Sequence, residues 1–164
     1  MKAKTTERPA RDPNAKKMIA TNRRARFEYE IEESFDAGLK LVGTEVKSLR
    51  AGRLNFQDSF CRIENNEVWL YNLNIPHYEM GNRYNVEEKR KRKLLLHKYQ
   101  ILEMRAKAEQ KGLTIVPLAL YFQRGFAKIE IALGRGKKLY DKRESIAERD
   151  QEREARRQFA SRDE

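Results

Sequence analysis

The sequence predicts an α+β domain that is mainly β: a small antiparallel OB-type barrel with two to three peripheral helices and a basic C-terminal tail. Three observations carry this. Alternating apolar segments come early and late in the chain, with a short and a longer helical pattern between them. Their connections are turn-like rather than the long crossovers of βαβ units. The 164 residues are 39% apolar and 37% charged, enough for one core of modest size. A closed sheet suits such a core because it leaves no long strand edge open.

Residues 1–20 hold two prolines, many charges and little apolar pattern, and are expected to form a disordered basic arm. The first strand is expected at 26–32, where Phe27, Tyr29 and Ile31 alternate with Glu28, Glu30 and Glu32. Three carboxylates could hold a metal, but a solvated row along a strand is the far commoner reason for such spacing. Asp36-Ala37-Gly38 reads as a turn. Val42, Val46 and Leu49 fall at helical spacing, Gly52 offers a stop, and Lys47, Arg50 and Arg53 form a basic rim.

Segments 59–63 and 68–71 flank Asn65-Asn66, which is a hairpin signal because asparagine tolerates positive φ. Cys61 lies in this hairpin and reads as a core filler, since nothing nearby supplies a base. Residues 74–86 read as a loop. Five consecutive cations follow, Lys89 to Lys93, and Leu94-Leu95-Leu96 leads into a helix at about 97–110, closed by Gly112. Its apolar stripe is expected from Leu95, Tyr99, Leu102 and Met104 to Ala108, with His97 at its start or on the surface. The nearly continuous apolar run 114–122 is a buried strand, and Pro117 marks an edge or a bulge. Gln123-Arg124-Gly125 turns into a strand at 126–133. Gly134-Arg135-Gly136 ends it as a hinge; the phosphate-loop spacing is incomplete there. The domain is therefore 21–134. The tail, 135–164, has good helix formers and pairs such as Glu152 with Arg156, but few apolar residues to bury. It is expected to be disordered when free and to fold on a partner.

The net charge is +11, and it is clustered. Residues 1–26 carry nine basic and two acidic side chains, and residues 87–134 carry eleven and five, whereas 27–86 carry six and ten. Blocks of one sign invite a counter-charge, so the partner expected is nucleic acid. No run of 18 apolar residues exists for a membrane-spanning helix, and the N-terminus has no apolar stretch of a secretory signal. One cysteine makes no internal disulfide, and with His77 and His97 it falls short of a zinc cluster. The chain is expected to be cytoplasmic, with no metal and no cofactor.

Six runs, in order over about residues 16–150, carry a family resemblance: Asn22-Arg23-Arg24-Ala25-Arg26-Phe27-Glu28-Tyr29, Ala37-Gly38-Leu39, Gly43-Thr44-Glu45-Val46-Lys47-Ser48-Leu49-Arg50-Ala51-Gly52, Arg92-Lys93-Leu94-Leu95-Leu96, Val116-Pro117-Leu118 and Gly136-Lys137-Lys138-Leu139-Tyr140-Asp141-Lys142-Arg143. The sequence resembles the SmpB family, the tmRNA-binding (SsrA-binding) proteins of bacterial ribosome rescue. The resemblance implies binding to the tRNA-like domain of tmRNA and its delivery, with elongation factor Tu, to stalled ribosomes for trans-translation. It implies a tail that turns helical in the empty mRNA channel near the decoding site. The barrel then stands where an anticodon arm would be. Asn22, Asp36 and Lys128 match the tmRNA-facing surface, and Arg23, Arg24 and Arg26 share its first motif as phosphate contacts. Lys137, Lys138, Tyr140, Asp141, Lys142 and Arg143 match the ribosome-binding tail, with Tyr140 where relatives often have His. The resemblance implies no catalytic residue, since peptide transfer belongs to the ribosome, and a monomer is expected when free. A structural ribosomal protein that binds rRNA is the alternative, and a nuclease built on Glu28, Glu30 and Glu32 a distant third.

Overall fold

The computed structural model describes residues 12–137 and 139–160, apart from the side chains of 82, 139–142, 144, 145, 159 and 160. The expectations for residues 1–11, for Lys138 and for the end of the tail, 161–164, lie outside the described residues. The order is β1 (Lys17–Thr21), α1 (Arg23–Glu28), β2 (Tyr29–Leu39), α2 (Gly43–Arg50), β3 (Phe60–Glu64), β4 (Glu67–Tyr71), a 3₁₀ helix (Glu79–Tyr84), β5 (Arg92–Leu95), α3 (Lys98–Lys111), β6 (Thr114–Gln123), β7 (Phe126–Gly136) and α4 (Leu139–Ala160). All pairings are antiparallel, in the order β1-β6-β3-β4-β5-β2-β7, and β7 returns to β6. Six strands thus close a ring, with β1 added on the β6 edge. The ring is uneven. β2–β7 and β6–β7 pair along most of their length, whereas β2 meets β5 at Gly38 and Leu39, and β3 meets β6 only through Cys61 and Ile115.

The interior is filled by the inward residues of every strand, among them Phe35, Val68, Leu70, Leu94, Leu120, Ile129 and Ile131. Cys61 is buried there, and burial pushes its thiol well above the ordinary range, as befits a filler. The Asn65-Asn66 turn has positive φ at both residues, 50° and 59°, and it matches the twist of the strands it joins. The register slips between Pro117 and Ala119, where proline withholds an N–H from the ladder.

Several expectations need correction. Residues 17–20 are not part of an unstructured arm. Ile19 and Ala20 are half-buried, and the segment pairs with 119–122, so order begins before residue 21. The 26–32 segment is divided: 23–28 is helix and the strand starts at Tyr29. Asp36-Ala37-Gly38 is no turn. It lies within β2, opposite Lys128 to Glu130, because β7 supplies a full ladder there. Leu94 and Leu95 belong to strand β5 rather than to a helix entry, and β7 runs through Gly134 to Gly136. Helix α3 buries Met104 and packs Ala108 against the core, as the expected stripe requires, but its other buried residue is Ile101, while Leu95, Tyr99 and Leu102 are exposed.

The basic run 89–93 also divides. Arg92 is fully buried. Its Nε donates to Glu45 Oε2 at 2.6 Å, Nη1 to the carbonyls of Leu73 (2.6 Å) and Arg90 (3.1 Å), and Nη2 to that of Glu88 (2.9 Å). Glu45 Oε1 accepts from Arg90 and from the Val42 backbone N–H, so one carboxylate caps α2 and fixes two arginines. Burial draws the Arg92 guanidinium below its ordinary range, and Glu45 opposes this. Two of the five cations thus hold β5 to α2 and the 73–90 loop instead of facing a ligand.

Helix α4 extends from Leu139 to Ala160, where the sequence analysis expects no structure before a partner binds. Its residues are strong helix formers with alternating charge. A contact to the barrel comes from the Arg149 guanidinium, 5.4 Å from the Phe27 ring centre on α1.

Candidate RNA-binding surface

The residues singled out from the sequence fall into two groups. The first is gathered by α1. Asn22 opens this helix: its Oδ1 accepts from Ala25 N–H at 3.2 Å, and its Nδ2 donates to Pro117 O at 2.9 Å. Its backbone N–H donates to Leu118 O. Asn22 therefore ties the helix to β6, and Ala25 is buried beneath with Val116, Leu118 and Ala132. This leaves Arg23, Arg24 and Arg26 exposed. Arg24 pairs with Glu28 at 2.8 Å one turn on, and Arg23 and Arg24 border a hollow of about 430 Å³ beside Asn55, Phe56 and Gln57.

The second group lies farther along β2. Asp36 and Lys128 line a groove of about 820 Å³ with Lys93, Leu95, His97 and Tyr99. Gly38 is what brings β5 so close: a Cβ there would meet Leu95 Cβ at 3.1 Å. Asp36 accepts from Tyr121 Oη at 2.8 Å and from Lys16 Nζ at 3.4 Å, and Lys16 lies over the Tyr121 ring at 4.6 Å. Burial, then the bond to Asp36, raises the Tyr121 phenol well above its ordinary range. Opposite, His97 and Tyr99 stack at 5.5 Å with planes 10° apart, and Tyr99 is 67% exposed. An i, i+2 pair does not face itself on a helix. It does here because His97 is the extended residue before the first turn, where Gln100 accepts from its N–H.

The two groups are joined through β6: Asn22 bonds to Pro117 and Leu118, and Tyr121, farther along the same strand, bonds Asp36. Sequence reasoning missed Lys16, Tyr121 and the His97–Tyr99 stack. Tyr121 sits in an unbroken apolar run that gives no sign of its polar bond, whereas an aromatic two residues after a helix-opening histidine was legible. Of the tail motif, Lys137 N–H donates to Glu28 O at 2.8 Å, which starts the tail beside α1, and the Arg143 side chain is exposed. The side chains of Tyr140, Asp141 and Lys142 lie outside those described. The three glutamates do not converge. Glu28 closes α1, and Glu32 pairs with Lys111 and Arg135, each at 3.6 Å.

An OB-type barrel with an arginine-bearing helix at one pole and a lysine- and aromatic-lined groove on its wall defines a class, that of small basic barrels suited to a polyanion with exposed rings or bases. The chain matches the family model described as SmpB protein over residues 19–161. It is 59% identical over 140 residues to the SsrA-binding protein of Pelotomaculum thermopropionicum, covering 85% of this chain and 92% of that one. It is 58% identical over 138 residues to the SsrA-binding protein of Carboxydothermus hydrogenoformans, covering 84% and 93%. A chain from a solved structure of tmRNA–SmpB in the bacterial ribosome matches with a TM-score of 0.64 at 53% identity, covering 77% of this chain and 93% of that chain. The chain belongs to the SmpB family.

Proposed function

We propose that this protein binds the tRNA-like domain of tmRNA and delivers it to stalled ribosomes for trans-translation. The observation that carries this is the family match, which runs without a break from β1 through α4. The geometry agrees with it. Structured RNA is recognised by shape, phosphate contacts and stacking on splayed bases, and a rigid wall with fixed cations and exposed rings supplies all three. Arg23, Arg24 and Arg26 act on phosphates, and Asn22 acts by holding their helix. Asp36, fixed by Tyr121 and Lys16, and Lys128 meet the RNA in the groove.

The tail is proposed for the ribosome. Lys137, Lys138, Tyr140, Asp141, Lys142 and Arg143 approach the decoding region, and the rest of α4 follows the empty mRNA channel. In the free chain α4 is weakly held, because a 22-residue helix with little apolar surface must find its stability elsewhere. Elongation factor Tu joins through the tmRNA, the free protein is a monomer, and the setting is cytoplasmic. The test is to recover the protein from cells and sequence the RNA that comes with it. One RNA with a tRNA-like end is the expected result. Bulk ribosomal RNA without it overturns the reading in favour of a structural ribosomal protein.

A further inference from the structure

The outward face of the β3–β4 hairpin carries side chains that have no task in the reading above. Phe60 and Arg62 on β3 and Trp69 and Tyr71 on β4 alternate with the buried Cys61, Val68 and Leu70. Phe60 is paired with Tyr71, and the rings stack at 5.1 Å with planes 6° apart. Arg62 is paired with Trp69, and Trp69 in turn with Lys93 on β5. The Lys91 ammonium lies 4.6 Å from the Trp69 ring and 6.0 Å from the Tyr71 ring.

Three rings and three cations are thus set out on one sheet surface. Rings this large are mostly buried in a domain or placed at an interface, yet Phe60 is 37% exposed and Arg62 is exposed beside it. Two acids share the face. Glu64 accepts from Tyr71 and lies 3.5 Å from Lys91, and Glu67 accepts from Lys93 at 2.8 Å. They hold Lys91 and Lys93 at the level of the rings, and with Arg62 beside them the cations on this face outnumber the acids. The face is also continuous with the groove, since Glu67 and Lys93 line both.

We propose that this face is a stacking platform for unpaired nucleotides of the same RNA that occupies the groove, tmRNA on the functional reading, on which this identification rests. The Phe60–Tyr71 stack and Trp69 take bases, and Arg62 and Lys93 take the phosphates between them. Lys91 leaves the Trp69 ring for a phosphate when a base arrives. Bases in a duplex already stack on one another, so the platform selects loop and single-stranded segments.

Trp69 is the single tryptophan of the chain, so its emission reports this face alone. The full chain is titrated with the tRNA-like domain of tmRNA carrying its adjoining unpaired nucleotides. The expected result is saturable quenching of Trp69 in step with binding followed by gel mobility. Phe60→Leu keeps an apolar side chain but removes the ring; it should weaken binding about fivefold with an unchanged melting midpoint. Abasic residues in the unpaired segment should abolish the quenching. Tight binding with unchanged emission overturns the platform and leaves the tmRNA reading intact. Equal quenching by inorganic polyphosphate overturns it too, since charge alone would then suffice. Quenching by small-subunit rRNA and not by tmRNA shows the occupant to be wrong. No binding of the tRNA-like RNA at all defeats the functional reading and this proposal with it.

Discussion

Barrel and tail are both rich in charge, but they use it differently. In the barrel several charged groups are placed by a partner. Glu45 holds Arg90 and Arg92, Tyr121 and Lys16 hold Asp36, and Glu33 and Glu103 both accept from Lys107 and raise its ammonium above the usual range, Glu103 the more. In α4 six basic and six acidic side chains lie among 22 residues, and those described from Arg149 to Gln158 are exposed. Similar composition therefore gives a surface already organised for its ligand in one region. In the other it gives a largely exposed helix, touching the barrel through Arg149 and Phe27, whose further contacts are proposed to come from the ribosome. The first binds without paying to order itself, and the second adds affinity only where many contacts form at once.

The sharpest way to break this division is to remove the tail. Deleting residues 138–164, which spares β7, should abolish tagging of stalled peptides while affinity for the tRNA-like domain, measured by mobility shift, stays within about twofold; loss of RNA binding would show that the regions are not separable. Next in size is the barrel's own network. Glu45→Ala leaves Arg92 buried without its countercharge, with only carbonyls for partners, and should lower stability by about 3–5 kcal/mol in denaturant titration. Charge-removing substitutions in α4 should change it by less than about 0.5 kcal/mol. Equal costs would mean that α4 is packed, not solvated.

A third test addresses order. Hydrogen exchange in the free chain should be fast throughout α4 and slow in β6, and on a ribosome with an empty mRNA channel α4 should become protected. Alanine at Asp141, Lys142 and Arg143 together should impair tagging without lowering tmRNA affinity. A finer measurement separates cations from their support. Each of Arg23, Arg24 and Arg26 replaced by Gln should shrink the log–log salt slope by about 0.7–0.9 units. Asn22→Ala should weaken binding with little change of slope, since it removes a cap and no charge.

The smallest effect is a titration. Tyr71 donates to Glu64, which holds that carboxyl below its usual range, with Lys91 assisting. A depressed carboxyl contributes stability that is present above its unfolded value and lost as pH falls through the folded one. Tyr71→Phe should raise the Glu64 midpoint observed by NMR and remove that part of the acid sensitivity.

The parts legible in the sequence are those where local chemistry decides. Two adjacent asparagines make the β3–β4 turn, Gly112 at φ 62° ends α3, and a proline displaces the β6 register. What was hidden depends on distant partners. Asp36-Ala37-Gly38 has turn composition, and distant pairing, chiefly with β7 almost a hundred residues later, makes it a strand. The five-cation run resembles an exposed patch until Glu45, far away in sequence, is seen to claim Arg90 and Arg92. The candidate site was legible as a set of residues through motif order, but its geometry, with Asn22 and Asp36 both tied to β6, was not. Nothing local to Asn22 says that its amide reaches Pro117.

The pairing of β2 with β7 has a consequence for the birth of this protein. Residues 29–38 find their partners at 128–136, so the first long strand to leave a translating ribosome must wait for one of the last. At about 5–20 residues per second the interval is on the order of 5–20 seconds. During that time Tyr29, Ile31, Phe35 and an unpaired edge stand open to solvent and to neighbouring nascent chains. The ring cannot close from its N-terminal end. It closes when the β6–β7 hairpin, which is local and can form by itself, presents its free side to a strand made long before.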